Sequence, residues 1–322
     1  MMKRIKQCIS SLGRCITGEN NPLTKFASLR YREGKYLSAA ALTLYSIPLR
    51  GLDKIQYGFV TSADYYDELQ ALLTVDKAEG FDLVRIGKEN DGGYIYLNDF
   101  REGGIAYSFG ICDDVSWDKD MASRGYDVFM YDHTIERLPE ENSRFHFFRQ
   151  GIADGATKDE RLKTLEYLIA QNHHQEKQNM ILKMDVEGAE WGFLESVKPE
   201  TLMQFSQMTF ELHGMFSPSK SERILNVLSK INKTHQLVHI HANNVSNYVT
   251  LNGKHFCELF EVTYILREKY KFSGSYDVFL PLKIDMPNVK EWPEIELGYW
   301  NRKVPFDGKL ICSTKHYLNS EA

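Results

Sequence analysis

The stretch Leu182-Lys183-Met184-Asp185-Val186-Glu187-Gly188-Ala189-Glu190-Trp191-Gly192 constrains this chain more than any other. The apolar run before it, from Met180 to Met184, reads as a buried strand. An acidic turn ends that strand, and helical patterning resumes over residues 189–196. Asp185, Glu187 and Glu190 therefore crowd the place where a strand stops. In an open parallel α/β sheet, ligands bind beyond the carboxyl ends of the strands. Acids packed at such an edge are costly unless they meet a cation, a metal or hydrogen-bond donors. The edge calls for a positively charged ligand.

The rest of the chain supplies the sheet. Residues 84–86 and 94–97 read as short strands around the turn Glu89-Asn90-Asp91-Gly92-Gly93. Strands are predicted at 105–109, 127–131, 145–148, 180–184, 207–212, 237–241 and 259–266. Helices are predicted at 117–124, 161–173, 189–196 and 219–232. This βαβ rhythm predicts an α/β, Rossmann-like, mostly parallel sheet with helices on both faces. No helix separates the last two strands, so they are expected to pair antiparallel across a long connection, residues 243–257. Pro287 and Pro293 make the stretch 285–300 an extended wrap.

Three regions follow: an N-terminal helical extension, 1–60; a catalytic domain, 61–284; and an extended tail, 285–322, packing on that domain. Ile5, Cys8, Ile9, Leu12 and Ile16 have helical spacing, and residues 23–32 and 36–45 read as a helical hairpin around Glu33-Gly34-Lys35. These helices are expected to pack on the chain itself or to join two copies into a homodimer; a membrane-surface helix is the competing reading.

Net charge is −5, which gives no broad basic field for nucleic acid. No apolar run is long enough for a transmembrane segment, and no continuous apolar stretch follows the basic N-terminus as in a signal peptide. The five cysteines are scattered, with no C-x-x-C pair, which suits a reducing, cytoplasmic setting.

The loop after the first strand of the alternating region narrows the ligand. Tyr107-Ser108-Phe109-Gly110 brings a turn glycine to the strand end, and Asp132 follows 22 residues later at the end of the next strand. An acid so placed holds the two hydroxyls of a ribose. A dinucleotide pyrophosphate needs G-x-G-x-x-G and a bare helix N-terminus. Here one glycine is present, and Asp113 and Asp114 occupy the would-be phosphate position, which repels a pyrophosphate. S-adenosyl-L-methionine, carrying an ammonium and a sulfonium, suits them. The bland alternative is that Gly110 is a plain turn glycine and Asp113 and Asp114 cap the following helix.

Residues 182–190 closely match the LK-x-D-x-EG-x-E signature of the FkbM-type S-adenosylmethionine-dependent methyltransferases, and the chain resembles that family over roughly residues 80–270. Arg85-Ile86-Gly87, Asp91-Gly92-Gly93-Tyr94 and Tyr107-Ser108-Phe109-Gly110-Ile111 look like the branch with an R-x-G…DGGY lead-in. The resemblance implies a class I methyltransferase fold of seven strands with the last antiparallel. It also implies O-methylation of a sugar or other hydroxylated small molecule, commonly in bacterial glycan pathways such as capsule or lipopolysaccharide biosynthesis. The acceptor would then be a sugar or nucleotide-sugar. In that frame Tyr107, Phe109 and Gly110 shape the cofactor loop and Asp113 meets the amino-acid end. Asp132 holds the ribose, Ile152 flanks the adenine, and Asp91 belongs to the same cradle.

For the chemistry, Asp185 ends one strand and Phe210-Glu211-Leu212-His213 ends the next, with Glu211 and His213 on one face. Neighbouring strands lie ~4.8 Å apart, so Asp185, Glu211 and His213 can converge. Two carboxylates and an imidazole suit Mg, Mn or Fe(II); alternatively His213 is a general base positioned by Asp185. His241, with Asn243 and Asn244, is a further candidate for base, third ligand or acceptor binding. The bland alternative for that segment is an Asn-rich turn.

Overall fold

A computed structural model describes residues 63–251, 254–303 and 310–313. The expected N-terminal helices, and the dimer contact assigned to them, lie outside the described residues. The first described element is helix α1 (Ala63–Leu72). The predicted hairpin follows: β1 (Leu83–Ile86) pairs antiparallel with β2 (Tyr94–Leu97) around the glycine turn.

Seven strands then build the central sheet: β3 (Ile105–Phe109), β4 (Asp127–Tyr131), β5 (Phe145–Phe148), β6 (Met180–Met184), β7 (Phe205–His213), β8 (His235–Ala242) and β9 (Leu259–Leu266). Their order is β8-β9-β7-β6-β3-β4-β5. β3 runs parallel to β4 and β6, β4 to β5, and β6 to β7. β9 pairs antiparallel with both β7 and β8. The sheet is therefore mostly parallel and Rossmann-like, and its strand order reverses at β3, the switch point at which such sheets bind ligands.

All five residues of β6 are buried, which is why its sequence is a continuous apolar run broken only by Lys183. Helix α2 (Ser116–Ser123) and the β1–β2 hairpin cover one face, where Ile86, Tyr94, Tyr96, Trp117, Met121 and Val128 share a core cluster. On β3 and β4 the rings of Tyr107, Phe109, Phe129 and Tyr131 stack on one another, with Phe148 of β5 beside Tyr131. Parallel register places these aromatics side by side at one strand spacing.

Three expectations change. The helix predicted over 161–173 is shorter: α3 (Leu165–Gln171) starts only after Thr164, whose hydroxyl accepts from the Tyr167 amide as an N-cap. Helix α4 spans Glu190–Ser196 as expected, but the helix predicted over 219–232 opens with a 3-10 turn (Pro218–Lys220) before α5 (Ser221–Ile231). The connection between β8 and β9 is not plain loop: Tyr248–Leu251 pairs with Lys254–Cys257, and Leu310–Ser313 adds to the former as a third strand.

Residues 285–300 carry no helix, and buried side chains of the sheet hold them down. Asn244 donates to the carbonyls of Val289 and Trp292 and accepts from the Val289 amide. His239 faces Asp285 at 2.9 Å, and His241 faces Glu294 at 2.9 Å.

Candidate active site

A cavity of about 480 Å³ opens at the carboxyl ends of β3, β4 and β6. Its size lies within the ~300–1,000 Å³ usual for small-molecule and cofactor pockets. Seven carboxyl side chains line it, Asp91, Asp113, Asp114, Asp118, Asp132, Asp185 and Glu187, against one lysine, Lys183. A wall of this sign repels a pyrophosphate and attracts a cation.

Gly110 makes the cavity floor. Its φ is +77°, and a Cβ on it would fall 1.6 Å from the Asp185 carbonyl oxygen. The Asp185 amide donates to the Phe109 carbonyl at 3.0 Å and the Gly110 amide to Tyr131. Gly110 is therefore more than a turn glycine: three strand ends meet at its bare Cα.

Asp132 lines the cavity and ties its loops together. One carboxylate oxygen accepts from the Ile111 and Cys112 amides, both at 2.9 Å; the other accepts from the amide and hydroxyl of Thr134 at 2.8 and 2.6 Å. Burial acts to raise its pKa, but these hydrogen bonds outweigh burial and hold the carboxyl below its ordinary value. Asp114 accepts from the Ser116 amide and pairs with Lys88 at 3.0 Å, although the N-cap of α2 is Val115, whereas Asp113 is exposed on the rim. Phe109, Gly110 and Ile152 line the cavity and Asp91 stands at its hairpin side.

Tyr107 does not line it. Its ring is fully buried in the aromatic stack, and its hydroxyl contacts Asn172 and the His174 ring. The loop begins two residues further on, so the cofactor role expected for Tyr107 gives way to a core role.

At the neighbouring strand ends Asp185, Glu211 and His213 converge, with one ligand atom from each lying within 4.8 Å of the others. His213 Nε2 is 3.6 Å from Glu211, 3.6 Å from Glu187 and 4.0 Å from Asp185. Burial alone would lower the His213 pKa, but Glu190, Asp185 and Glu187 outweigh it and raise it. Burial, then the charges of Asp185, Glu261 and Asp91, push the Glu211 carboxyl well above its usual range. Burial likewise raises Asp185 against the pull of Lys183 and His213. Oδ1 of Asp185 is buried with no hydrogen-bond partner.

Glu190 holds this corner in place. It is fully buried, and its two oxygens accept from the amides of Gly188 and His213 at 2.8 and 2.7 Å. Its Oε1 also lies 3.3 Å from His213 Nδ1. The turn after β6 is thereby locked to the end of β7.

His241 is not brought to the cavity. Register places Glu211 opposite Glu261, and Glu261 opposite His241. β9 thus stands between β7 and β8, so His241 is three strand spacings, about 14 Å, from the β6 edge. Both its ring nitrogens are taken, by Glu261 at 3.0 Å and Glu294 at 2.9 Å. Burial works to lower its pKa, yet these two carboxylates raise it to about 10. The imidazolium so held ties the sheet to the tail and replaces the expected base or ligand. Asn243 and Asn244 likewise serve a turn and the tail.

Among the cavity residues without a role in the sequence reading are two buried charged groups, Lys183 and Asp118. Each had a signal. Lys183 interrupts an apolar strand, and Asp118 falls in the buried stripe of α2 with Trp117, Met121 and Ala122. A buried polar residue is the informative exception in such a pattern.

Strand order and an acid-lined cavity at the switch point define a Rossmann-like α/β domain whose cavity wall favours positive charge. Residues 116–238 match the family model described as the methyltransferase FkbM domain. The match takes in Asp118, Asp132, Lys183, Asp185, Glu190, Glu211 and His213. Methyltransferases of this family use S-adenosylmethionine generally. No match to the chain is found among curated proteins. Two solved structures resemble it at 11% identity and a TM-score of 0.33. "Putative hemolysin from Streptococcus thermophilus" is matched over 62% of this chain and 75% of its own. A like-named protein from Lactococcus lactis is matched over 51% and 78%. Likeness at that level carries no argument.

Proposed function

We propose that the protein is an S-adenosylmethionine-dependent O-methyltransferase acting on a hydroxyl of a sugar or nucleotide-sugar, in the cytoplasmic steps of bacterial surface-glycan synthesis. One observation carries this reading: the acid-lined cavity and the Asp185–Glu211–His213 cluster share Asp185, so donor and acceptor sites adjoin at one side chain. The FkbM domain match supports methyl transfer; the sugar acceptor comes from the family resemblance alone.

Methyl transfer is an in-line displacement, so the acceptor oxygen must be held near the sulfonium and lose its proton. In this reading Phe109 and Gly110 bound the donor, Asp132 fixes the loop against the ribose, and Ile152 flanks the adenine. The acceptor approaches from the Asp185 side. His213 Nε2 faces that side while Glu190 orients the ring through Nδ1.

The oxygen and nitrogen donors of Asp185, Glu211 and His213 fit Mg, Mn or Fe(II): the unpartnered Asp185 Oδ1 and the raised carboxyl pKa values mark a cluster short of positive charge. A bound ion would lower the pKa of the acceptor hydroxyl. Without one, His213 is the base, oriented by Glu190 and flanked by Asp185.

Calorimetry with S-adenosylhomocysteine tests the donor site. Saturable binding, lost in Asp132→Ala, supports an enzyme; absence of binding in the unaltered chain supports a non-catalytic binding module. Mass spectrometry of nucleotide-sugars incubated with protein and S-adenosylmethionine tests the acceptor class. A gain of one methylene mass is expected, and methylation confined to non-sugar hydroxyls would overturn the sugar reading.

A further inference from the structure

Lys183 of β6 is the register partner of Ser108 of β3, so both point to the sheet face that α2 covers. From α2, Asp118 is buried against the same face, and Asp118 and Lys183 both line the cavity. Asp118 is 2% exposed, and its Oδ1 is buried with no hydrogen-bond partner. Lys183, 7% exposed, directs its ammonium at the carbonyls of Gly110 (2.5 Å) and Phe109 (3.5 Å), which leaves one of its three hydrogens for a ligand. No ion pair joins the two among the described residues, although the Lys183 charge acts on Asp118.

A buried carboxylate and a buried ammonium that face one cavity without closing on each other are each costly alone. A guest that carries both signs a few ångströms apart satisfies them together. The methyl donor has one such part, its α-amino acid end. We infer that Asp118 and Lys183 form the subsite for that end: Asp118 Oδ1 accepts from the α-ammonium, and Lys183 Nζ donates to the α-carboxylate. The inference rests on the donor reading above and reassigns the role expected of Asp113, which is exposed at the rim. It makes the pair a specificity device, because nucleosides without an amino-acid end leave both charges unmet.

Calorimetry on the full chain tests this with three probes: S-adenosylhomocysteine, its decarboxylated analogue, and 5′-methylthioadenosine, which lacks the amino-acid end. The unaltered protein is expected to bind S-adenosylhomocysteine at least about tenfold more tightly than 5′-methylthioadenosine, as fits the loss of charged hydrogen bonds. Asp118→Asn should lose affinity for both amine-bearing probes. Lys183→Met should lose it for S-adenosylhomocysteine and no longer distinguish that probe from its decarboxylated analogue. Affinity for 5′-methylthioadenosine should stay unchanged in both variants. Equal losses for all three probes indicate a structural role and overturn the inference. So does a preference that survives in both variants, or one that collapses in Asp113→Asn instead; the donor reading stands in those cases. If the unaltered chain binds no probe, the donor reading falls and takes the inference with it. Should the variants fail to fold, the unaltered protein still decides: equal affinity for S-adenosylhomocysteine and its decarboxylated analogue overturns the carboxylate contact.

Discussion

Gly110 lies against the carbonyl oxygen of Asp185 so closely that a methyl group on its Cα would sit 1.6 Å from that oxygen. The floor of the acid-lined cavity and the first acid of the Asp185–Glu211–His213 cluster are thus one backbone contact. Gly110→Ala must push β3 and β6 apart at their ends and also hold an alanine at φ +77°, a strain of roughly 1–3 kcal/mol by itself. The variant is expected to melt several degrees lower and to lose S-adenosylhomocysteine binding, as read by calorimetry and thermal denaturation. Wild-type affinity in it would show that the contact yields cheaply.

Removing Glu190 should cost more than its position on a short helix suggests. Glu190→Ala leaves the Gly188 and His213 amides without their acceptor in a buried corner, at roughly 1–3 kcal/mol for each donor. Urea unfolding should show a fall of several kcal/mol, with Glu190→Gln intermediate because it keeps one acceptor oxygen. A loss under about 0.5 kcal/mol would mean water replaces the carboxylate freely.

Glu211→Gln should move stability in opposite directions with and without metal. In chelator the variant removes a buried acid crowded by Asp185 and Glu261, so its melting temperature should rise. The stabilisation that Mn or Mg gives the unaltered protein should vanish from it. Turnover of the unaltered protein should stop in EDTA and return with Mn or Mg; turnover indifferent to chelator favours His213 as a metal-free base.

The His241 bridge makes a pH signature. Its folded pKa is raised from 6.5 to about 10, so the folded state holds a proton there that the unfolded chain releases. Its contribution is fully present below about pH 6.5 and declines as pH climbs toward 10. Melting temperatures measured across that interval should fall for the unaltered protein and more weakly for His241→Gln. Parallel slopes would assign the decline to other groups.

Asp132 works in the opposite sense. Its folded pKa lies below the ordinary 3.8, so its hydrogen bonds stabilise the fold above that value and are lost as pH falls through the lower folded one. Asp132→Asn should flatten the acid limb of the stability curve.

Much of the architecture was legible before any coordinates. β3, β4, β5, β6 and β9 begin and end where apolar patterning predicts, and β6, buried at all five positions, shows it most plainly because a strand covered on both faces must be apolar. Asp185, Glu211 and His213 were legible as a group, since neighbouring parallel strands bring their carboxyl ends together whatever lies between them in sequence. The N-cap at Thr164 was missed because helical spacing runs on past the residue that ends the preceding bridge.

By itself the sequence determined that a mostly parallel sheet ends in acids, and therefore that its rim favours positive charge: side-chain charge and strand periodicity are local properties. Tertiary structure alone decided which of those side chains share a cavity. The insertion of β9 between β7 and β8 carries His241 away from the β6 edge and gives it to the tail. The docking of α2 turns Asp118 inward onto Lys183's face, while Tyr107, one pleat below the loop, is sealed in the core. Strand order and helix packing are long-range, and no window of residues contains them.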